Sequence, residues 1–297
     1  MRRRPLSLGS TALVAGLLLL TACGQQPGPS SGRSYGPSCG GGHSSSSAAP
    51  GTPGGEETDG VRIVRAGDGP DRCAVFQVTN HHAEPFTYTI TFGFRTATGT
   101  VPTYENRVVP SVEPGATVSG GIDTVDRQAG GAAERSRVEV VKVRSVPADE
   151  APAPGGPCPS SGVRVYADDG DAAMGLRVVT LHLVNCGTGI YRIEGYPRLS
   201  VLDSSHKRVA DLRILHDGSS IALSTGADGP PRPLALKPGE RAHAGLVWRN
   251  TVLSGTPVNA PYVRVWAEQG AAPVMVTPEL DLGTTGKLAV GPWKKES

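Results

Sequence analysis

The sequence predicts an all-β protein built from two tandem sandwiches, and three observations carry that prediction. Short runs rich in Val, Ile, Thr, Tyr and Phe alternate with clusters of Gly, Pro, Asn and Asp, whereas Ala/Glu/Lys/Leu heptads never appear. Within FTYTITFGF, Phe86, Tyr88, Ile90, Phe92 and Phe94 share one parity while threonines and Gly93 take the other. That period of two is the mark of a strand with one buried face. A length of 297 residues leaves room for about two domains. Gly and Pro, 40 and 26 residues, fall short of a wholly low-complexity chain, so folded units joined to flexible segments are expected.

Residues 1–22 read as an export signal. Arg2, Arg3 and Arg4 form a basic start, and the apolar run from Leu8 to Leu20 follows. That run is too short to cross a hydrocarbon core, which takes roughly 20 helical residues. It ends Leu20-Thr21-Ala22-Cys23-Gly24, which resembles the lipobox of bacterial lipoproteins. The resemblance implies a diacylglycerol on the Cys23 sulfur, cleavage that leaves Cys23 first, and an anchor on the outer face of the cell membrane. Two or more acyl chains hold a protein stably, where one does so only marginally. The formal charge of +2 belongs to this leader: without its three arginines, 26 basic residues face 27 acidic ones. No basic stripe is left for nucleic acid.

Residues 23–60, rich in Gly, Ser and Pro, have no apolar period and are expected to be a disordered tether. About 37 such residues reach roughly 30–37 Å. The first sandwich is expected over 61–146, with strands near 61–65, 74–79, 86–94, 101–109, 116–122 and 138–143. The glycines near 128–135 favour a loop over a helix. A Pro-rich stretch, 147–157, reads as an interdomain linker. The second sandwich is expected over 158–297, with strands near 163–167, 176–184, 190–194, 199–203, 242–248, 263–267 and 274–277.

The two blocks share a plan. CAVFQVTNHHAEPFTYTI and LRVVTLHLVNCGTGIYRI each run strand, Asn, turn, strand, and each block later carries a Pro-Gly turn before another strand, in VEPGATVSG and LKPGERAHAG. Asn80 stands 34 residues before Pro114, and Asn185 stands 53 before Pro238. The surplus falls in a Gly/Ser/Pro-rich insertion at 211–233, a candidate binding loop on a rigid scaffold. Two immunoglobulin-like β-sandwiches fit both blocks.

If Cys23 is lipidated, Cys39, Cys73, Cys158 and Cys186 remain. Outside the cytoplasmic membrane an even number favours disulfides, and four cysteines allow three connectivities. Local pairing, Cys39–Cys73 and Cys158–Cys186, is expected because each pair sits with one sandwich. Each bridge would contribute roughly 3.5 kcal/mol in the chain-entropy account.

The second half resembles an uncharacterised actinobacterial family of exported proteins and lipoproteins, the domain of unknown function 4232 family. The residues that carry the likeness are the turn Gly195-Tyr196-Pro197, the strand running on to Asp203, and the Pro238-Gly239 turn before a strand bearing Trp248. Where that family places a cysteine four residues before the glycine of the turn, this chain has Tyr191, and its cysteine stands at Cys186. The resemblance implies a β-sandwich outside the cytoplasm and assigns no reaction.

Motifs of chemistry are missing from the sequence. There is no P-loop, G-x-G-x-x-G or H-E-x-x-H, and no C-x-x-C. His81 and His82 are expected in a solvated turn, and His182 and His243 in strands. Asp168, Asp169 and Asp171 form an acidic turn without the loop of an EF-hand. Trp248 and Trp266 are expected to pack, while Trp293 has no evident place. The expectation is a membrane-anchored extracytoplasmic binding or structural module, not an enzyme. It needs no cofactor, and its candidate partners are the membrane and a cell-wall or envelope protein. The alternative is a metal-handling lipoprotein or an envelope enzyme of unfamiliar type.

Overall fold

The computed structural model describes residues 34–35, 57–65, 73–96, 103–124 and 136–296. Cys23, Cys39, most of the expected tether and the 128–135 stretch lie outside them. Residues 33–297 form one compact unit. Its described residues are all-β, with two main hydrophobic cores. Among the described residues, no helix is long and apolar enough to cross a membrane.

The first half contains β1 (Ser34–Tyr35), β2 (Val61–Arg65), β3 (Cys73–Thr79), β4 (Phe86–Thr96), β5 (Thr103–Val112), β6 (Thr117–Asp123) and β7 (Ser136–Pro147). One sheet has the order β1-β6-β3-β2, the other β5-β4-β7. Phe86, Tyr88, Ile90 and Phe92 are buried as their parity predicts, and they meet Phe76, Val78 and Ile122 from the opposite sheet. Phe76 and Phe92 face each other with ring centroids 5.0 Å apart. Inside the stretch expected as tether, β1 pairs in parallel with β6, Ser34 beside Ser119.

The second half contains β8 (Val163–Ala167), β9 (Asp171–Ala173), β10 (Leu176–Asn185), β11 (Tyr191–Ile193), β12 (Arg198–Leu202), β13 (Arg213–His216), β14 (Leu234–Leu236), β15 (Arg241–Arg249), β16 (Val258–Ala260), β17 (Tyr262–Trp266), β18 (Val274–Val276), β19 (Leu280–Gly283), β20 (Lys287–Val290) and β21 (Lys294–Lys295). A large sheet of order β13-β20-β15-β10-β8 faces a smaller one of order β12-β17-β18. On β10, Val179, Leu181, Leu183 and Asn185 alternate into the core. The expected Cys158–Cys186 bridge is formed, with Cα atoms 5.6 Å apart.

The 211–233 insertion, largely exposed as its composition suggests, is also tied into the sandwich. It contributes β13, which pairs in parallel with β20. It also covers the outer face of the large sheet, where Ala227, Val247 and Ala289 form a small core of their own. Ala227 is seated so closely that a Cβ on Gly245 or Gly291 would stand 2.8 or 2.7 Å from it. Burial of both faces of β15 explains its unbroken run Gly245-Leu246-Val247-Trp248, which does not alternate.

The repeat seen in the sequence is a shared corner. Asn80 and Asn185 are both fully buried. Asn80 Nδ2 donates to Glu84 O and Val112 O, each at 2.8 Å, while its Oδ1 accepts from His82 N at 2.8 Å. Asn185 Nδ2 donates to Gly189 O and Leu236 O at 2.8 Å, while its Oδ1 accepts from Gly187 N at 3.1 Å. Each asparagine also pairs its backbone with its Pro-Gly turn: Gly115 N donates to Asn80 O, and Gly239 N to Asn185 O. One residue thus ties a tight turn and a remote strand end with its side chain and a Pro-Gly turn with its backbone, once in each sandwich.

Candidate functional site

The segment expected as a linker is a strap fastened to the second sandwich. Strand β7 runs to Pro147, and a short 3-10 turn, Ala148–Glu150, follows. Val146 is buried with Leu202, Tyr262 and Met275 on the outer face of the β12-β17-β18 sheet, and Ala151 packs beside them. Arg264 Nε donates to Glu150 Oε2 at 2.7 Å. Farther along, the Cys158–Cys186 bridge fixes the strap to the end of β10.

The two sandwiches meet at a junction of ion pairs and rings. Arg144 makes a bidentate pair with Glu279, at 2.7 and 2.6 Å. This is the geometry in which guanidinium–carboxylate contacts are strongest. Ser145 N donates to the Tyr262 hydroxyl at 3.2 Å, and His206 Nε2 donates to Ser145 O at 2.8 Å. The His206 ring stacks on Tyr262 at 4.3 Å and meets Phe86 edge-on, and Phe86 in turn carries His82 stacked at 3.8 Å. His206 holds a φ of +59°, in a turn closed by Asp203 Oδ1, which accepts from Ser205 N and Lys207 N. For a non-glycine residue that conformation costs roughly 1 kcal/mol.

Burial first, and then the neighbouring His206, holds His82 below the ordinary histidine range, while Glu84 works the other way and His81 adds to the lowering. A base whose folded pKa is depressed stabilises the fold fully above its unfolded pKa, near 6.5, and loses that contribution as pH falls below it. His243 is lowered too, again chiefly by burial, and acts in the same direction. Urea midpoints are therefore expected to fall between pH 7 and pH 5, with a shallower fall in His82→Gln. An unchanged slope in that variant would remove His82 as a cause.

Between the strap and the second sandwich lies a cleft of about 260 Å³. Its walls are mostly apolar, including Ala151, Pro159 and Pro273, and its polar groups are Asp149, Glu268, Tyr191, Arg164 and two serines. Tyr191 OH donates to Glu268 Oε1 at 2.9 Å. Burial, and then that bond, raise the Tyr191 hydroxyl well above the usual tyrosine range, so it remains a donor at neutral pH. Arg164 donates through Nη2 to Gly156 O of the strap, and its Nε is buried without a partner.

The other residues singled out in the sequence fall as follows. Cys73 opens β3 and is disulfide-bonded. His81 Nε2 contacts Glu57 Oε1 at 3.0 Å. His182 and His243 converge as direct cross-strand neighbours on β10 and β15. His182 Nδ1 contacts Glu296 Oε1 at 2.9 Å, and its ring stacks on Tyr166. Asp168 Oδ1 accepts from Thr180 N. Asp281, near the acidic turn, takes Arg177, Trp248 Nε1 and Asn250 Nδ2 as donors. Among the described residues, no three His, Cys, Asp or Glu side chains are placed to hold a metal ion together.

Sequence reasoning missed two features. Trp293 is the largest fully buried side chain among the described residues, and Tyr191 lines the cleft. Trp266, expected to pack, is only partly buried and lies under Arg198, whose guanidinium carbon is 5.7 Å from the ring centroid.

Residues 158–294 match a family described as "Domain of unknown function (DUF4232)". No curated protein matches the chain. Among solved structures, the chain is similar to one described as a β-galactosidase from Bacteroides fragilis, at 10% identity and a TM-score of 0.20. The match covers 77% of this chain and 33% of that one, so the chain spans about a third of its length. A likeness this slight carries no argument about fold or activity.

Proposed function

We propose that the chain is a lipid-anchored extracytoplasmic module, of the actinobacterial lipoprotein kind, whose two sandwiches serve as one binding or structural platform at the cell surface. The observation that supports it most is the fastening of one sandwich to the other. The Arg144–Glu279 pair, the His206–Ser145 bond, buried Val146 and the Glu150–Arg264 pair all span the junction or its strap. Such fastening fixes the spacing and orientation of two surfaces, which presenting a binding face requires. The anchor rests on the lipobox at Cys23 and on the short apolar leader before it. A Cys39–Cys73 bridge belongs to the same reading and would staple part of the tether to the first sandwich.

The test is the intact mass of the protein extracted from membranes, before and after reduction. The expected mass is residues 23–297 plus a diacylglyceryl group, with two disulfides. Cys23→Ser is expected to leave the membrane fraction. A mature mass without acyl chains would refute the anchor, and a single disulfide would refute the Cys39–Cys73 staple. Replacing residues 211–233 by a short Gly-Ser loop is no clean test of binding, because it would uncover Val247 and Ala289.

A further inference from the structure

The cleft under the strap is bordered by two free sheet edges. Strand β8 ends the large sheet, and β18 ends the small one. The bonds Asp168 N to Thr180 O and Cys186 N to Gly162 O, both 3.0 Å, fix the phase of the β8–β10 ladder. The even-numbered residues of β8 are therefore paired with β10, and the N–H and C=O of Val165 project from the free edge. On the other side, Asp203 N to Lys207 O and Val209 N to Val201 O turn the odd-numbered residues of β12 away from β17, so Val265 faces β18 and the backbone groups of Val274 are engaged by Val265 within the β17–β18 ladder. Val165 and Val274 both line the cleft.

Unpaired strand edges are the groups that bind extended peptides by strand addition. The side-chain chemistry around them narrows the ligand. The apolar walls are built from alanines, prolines and valines, which leave a volume suited to small side chains. Two carboxylates are available to a cation. Asp149 is exposed at the rim, and Glu268 has one oxygen engaged by Tyr191. Arg164 supplies a buried donor without a partner in the same wall. The strap over this cleft is held at both ends, by Glu150–Arg264 and by Cys158–Cys186, so the site is formed before any ligand arrives.

We propose that this cleft binds a short extended peptide with small side chains and a free amine, the amine lying at Glu268 and Asp149 and the backbone along the free edge of β8 at Val165. The inference rests on the binding reading above and gives it a ligand class, and it does not depend on the lipid. The probe is tri-L-alanine, titrated into the full exported chain carrying Cys23→Ser and followed by amide nitrogen–proton spectra. Saturable shifts are expected at Val165, Val274 and Tyr191. N-acetyl-tri-L-alanine is expected to bind at least tenfold more weakly, and so is tri-L-alanine to Glu268→Gln, whose amide oxygen can still accept from Tyr191. Asp149→Asn, at the exposed rim, is expected to weaken binding several-fold and to leave the unliganded spectrum unchanged elsewhere. No saturable shift, shifts confined to other residues, or equal binding of the acetylated peptide would each overturn the proposal. The acylation measurement would stand whichever result is found.

Discussion

Trp293→Ala is expected to destabilise the second sandwich by about 3–5 kcal/mol, the range for emptying a large buried aromatic site. Trp293 is 1% exposed although only four residues follow it in the sequence. Its Nε1 donates to Ala267 O at 2.8 Å, and its backbone N–H donates to Gly195 O at 3.0 Å. The second bond ties the chain terminus to the Gly195-Tyr196-Pro197 turn. Just beyond, β21 zips onto β15, with Lys294 beside His243 and Lys295 beside Ala242. Loss of the indole therefore empties a core site and also releases a terminal strand that has only two residues of ladder. Trp266→Ala is the matched control: its ring is partly exposed under Arg198, and a cost of about 1 kcal/mol is expected. Urea unfolding followed by far-ultraviolet circular dichroism measures both. Equal costs for the two variants would refute the view of Trp293 as the terminal latch.

Much of the fold was legible because its strands obey local rules. The alternation survives over most of β4 and over 179–185 of β10, where one face packs on a core, although Thr87 and Gly93 of β4 are buried too. The elements that escaped notice are those whose burial is decided by distant partners. Strand β13 is four residues long in a Gly/Ser/Pro-rich stretch, and it forms because β20, more than seventy residues later, offers a parallel edge. Trp293 reads as a loose terminus until Ala267 and Gly195 are placed around it. The cleft was still less visible. Asp149, Tyr191 and Glu268 are far apart in sequence, and their meeting depends on the strap crossing the sandwich at one height. One clue was available: Tyr191 occupies the position where the resembling family carries a cysteine.

Asn185→Ala is expected to cost about 3 kcal/mol, more than most single polar substitutions, because it removes three hydrogen bonds to the backbone at once. Gly189 O and Leu236 O lose a donor, and Gly187 N keeps only its bond to Gly162 O. Asn80→Ala should cost a similar amount in the first sandwich, where Glu84 O, Val112 O and His82 N are left and Tyr88 OH also loses its acceptor. Burial, and then Tyr262, push the Tyr88 hydroxyl up to about 12, so it remains a donor through the neutral range. The aspartate variants separate the roles of the two ends of the amide. Asn185→Asp keeps the acceptor and replaces both donations by a buried carboxylate, whose pKa burial raises above its unfolded value. Its stability is then greatest below about pH 3.9 and is lost as pH rises through the folded pKa, the opposite of the trend for His82 and His243. All three tryptophans lie in the second sandwich, so indole fluorescence follows Asn185 variants there, while circular dichroism reports Asn80 variants in the first. A cost under about 1 kcal/mol for Asn185→Ala, or an Asn185→Asp variant that grows more stable with rising pH, would mean that the shared asparagine corner does not hold the two sandwiches as argued.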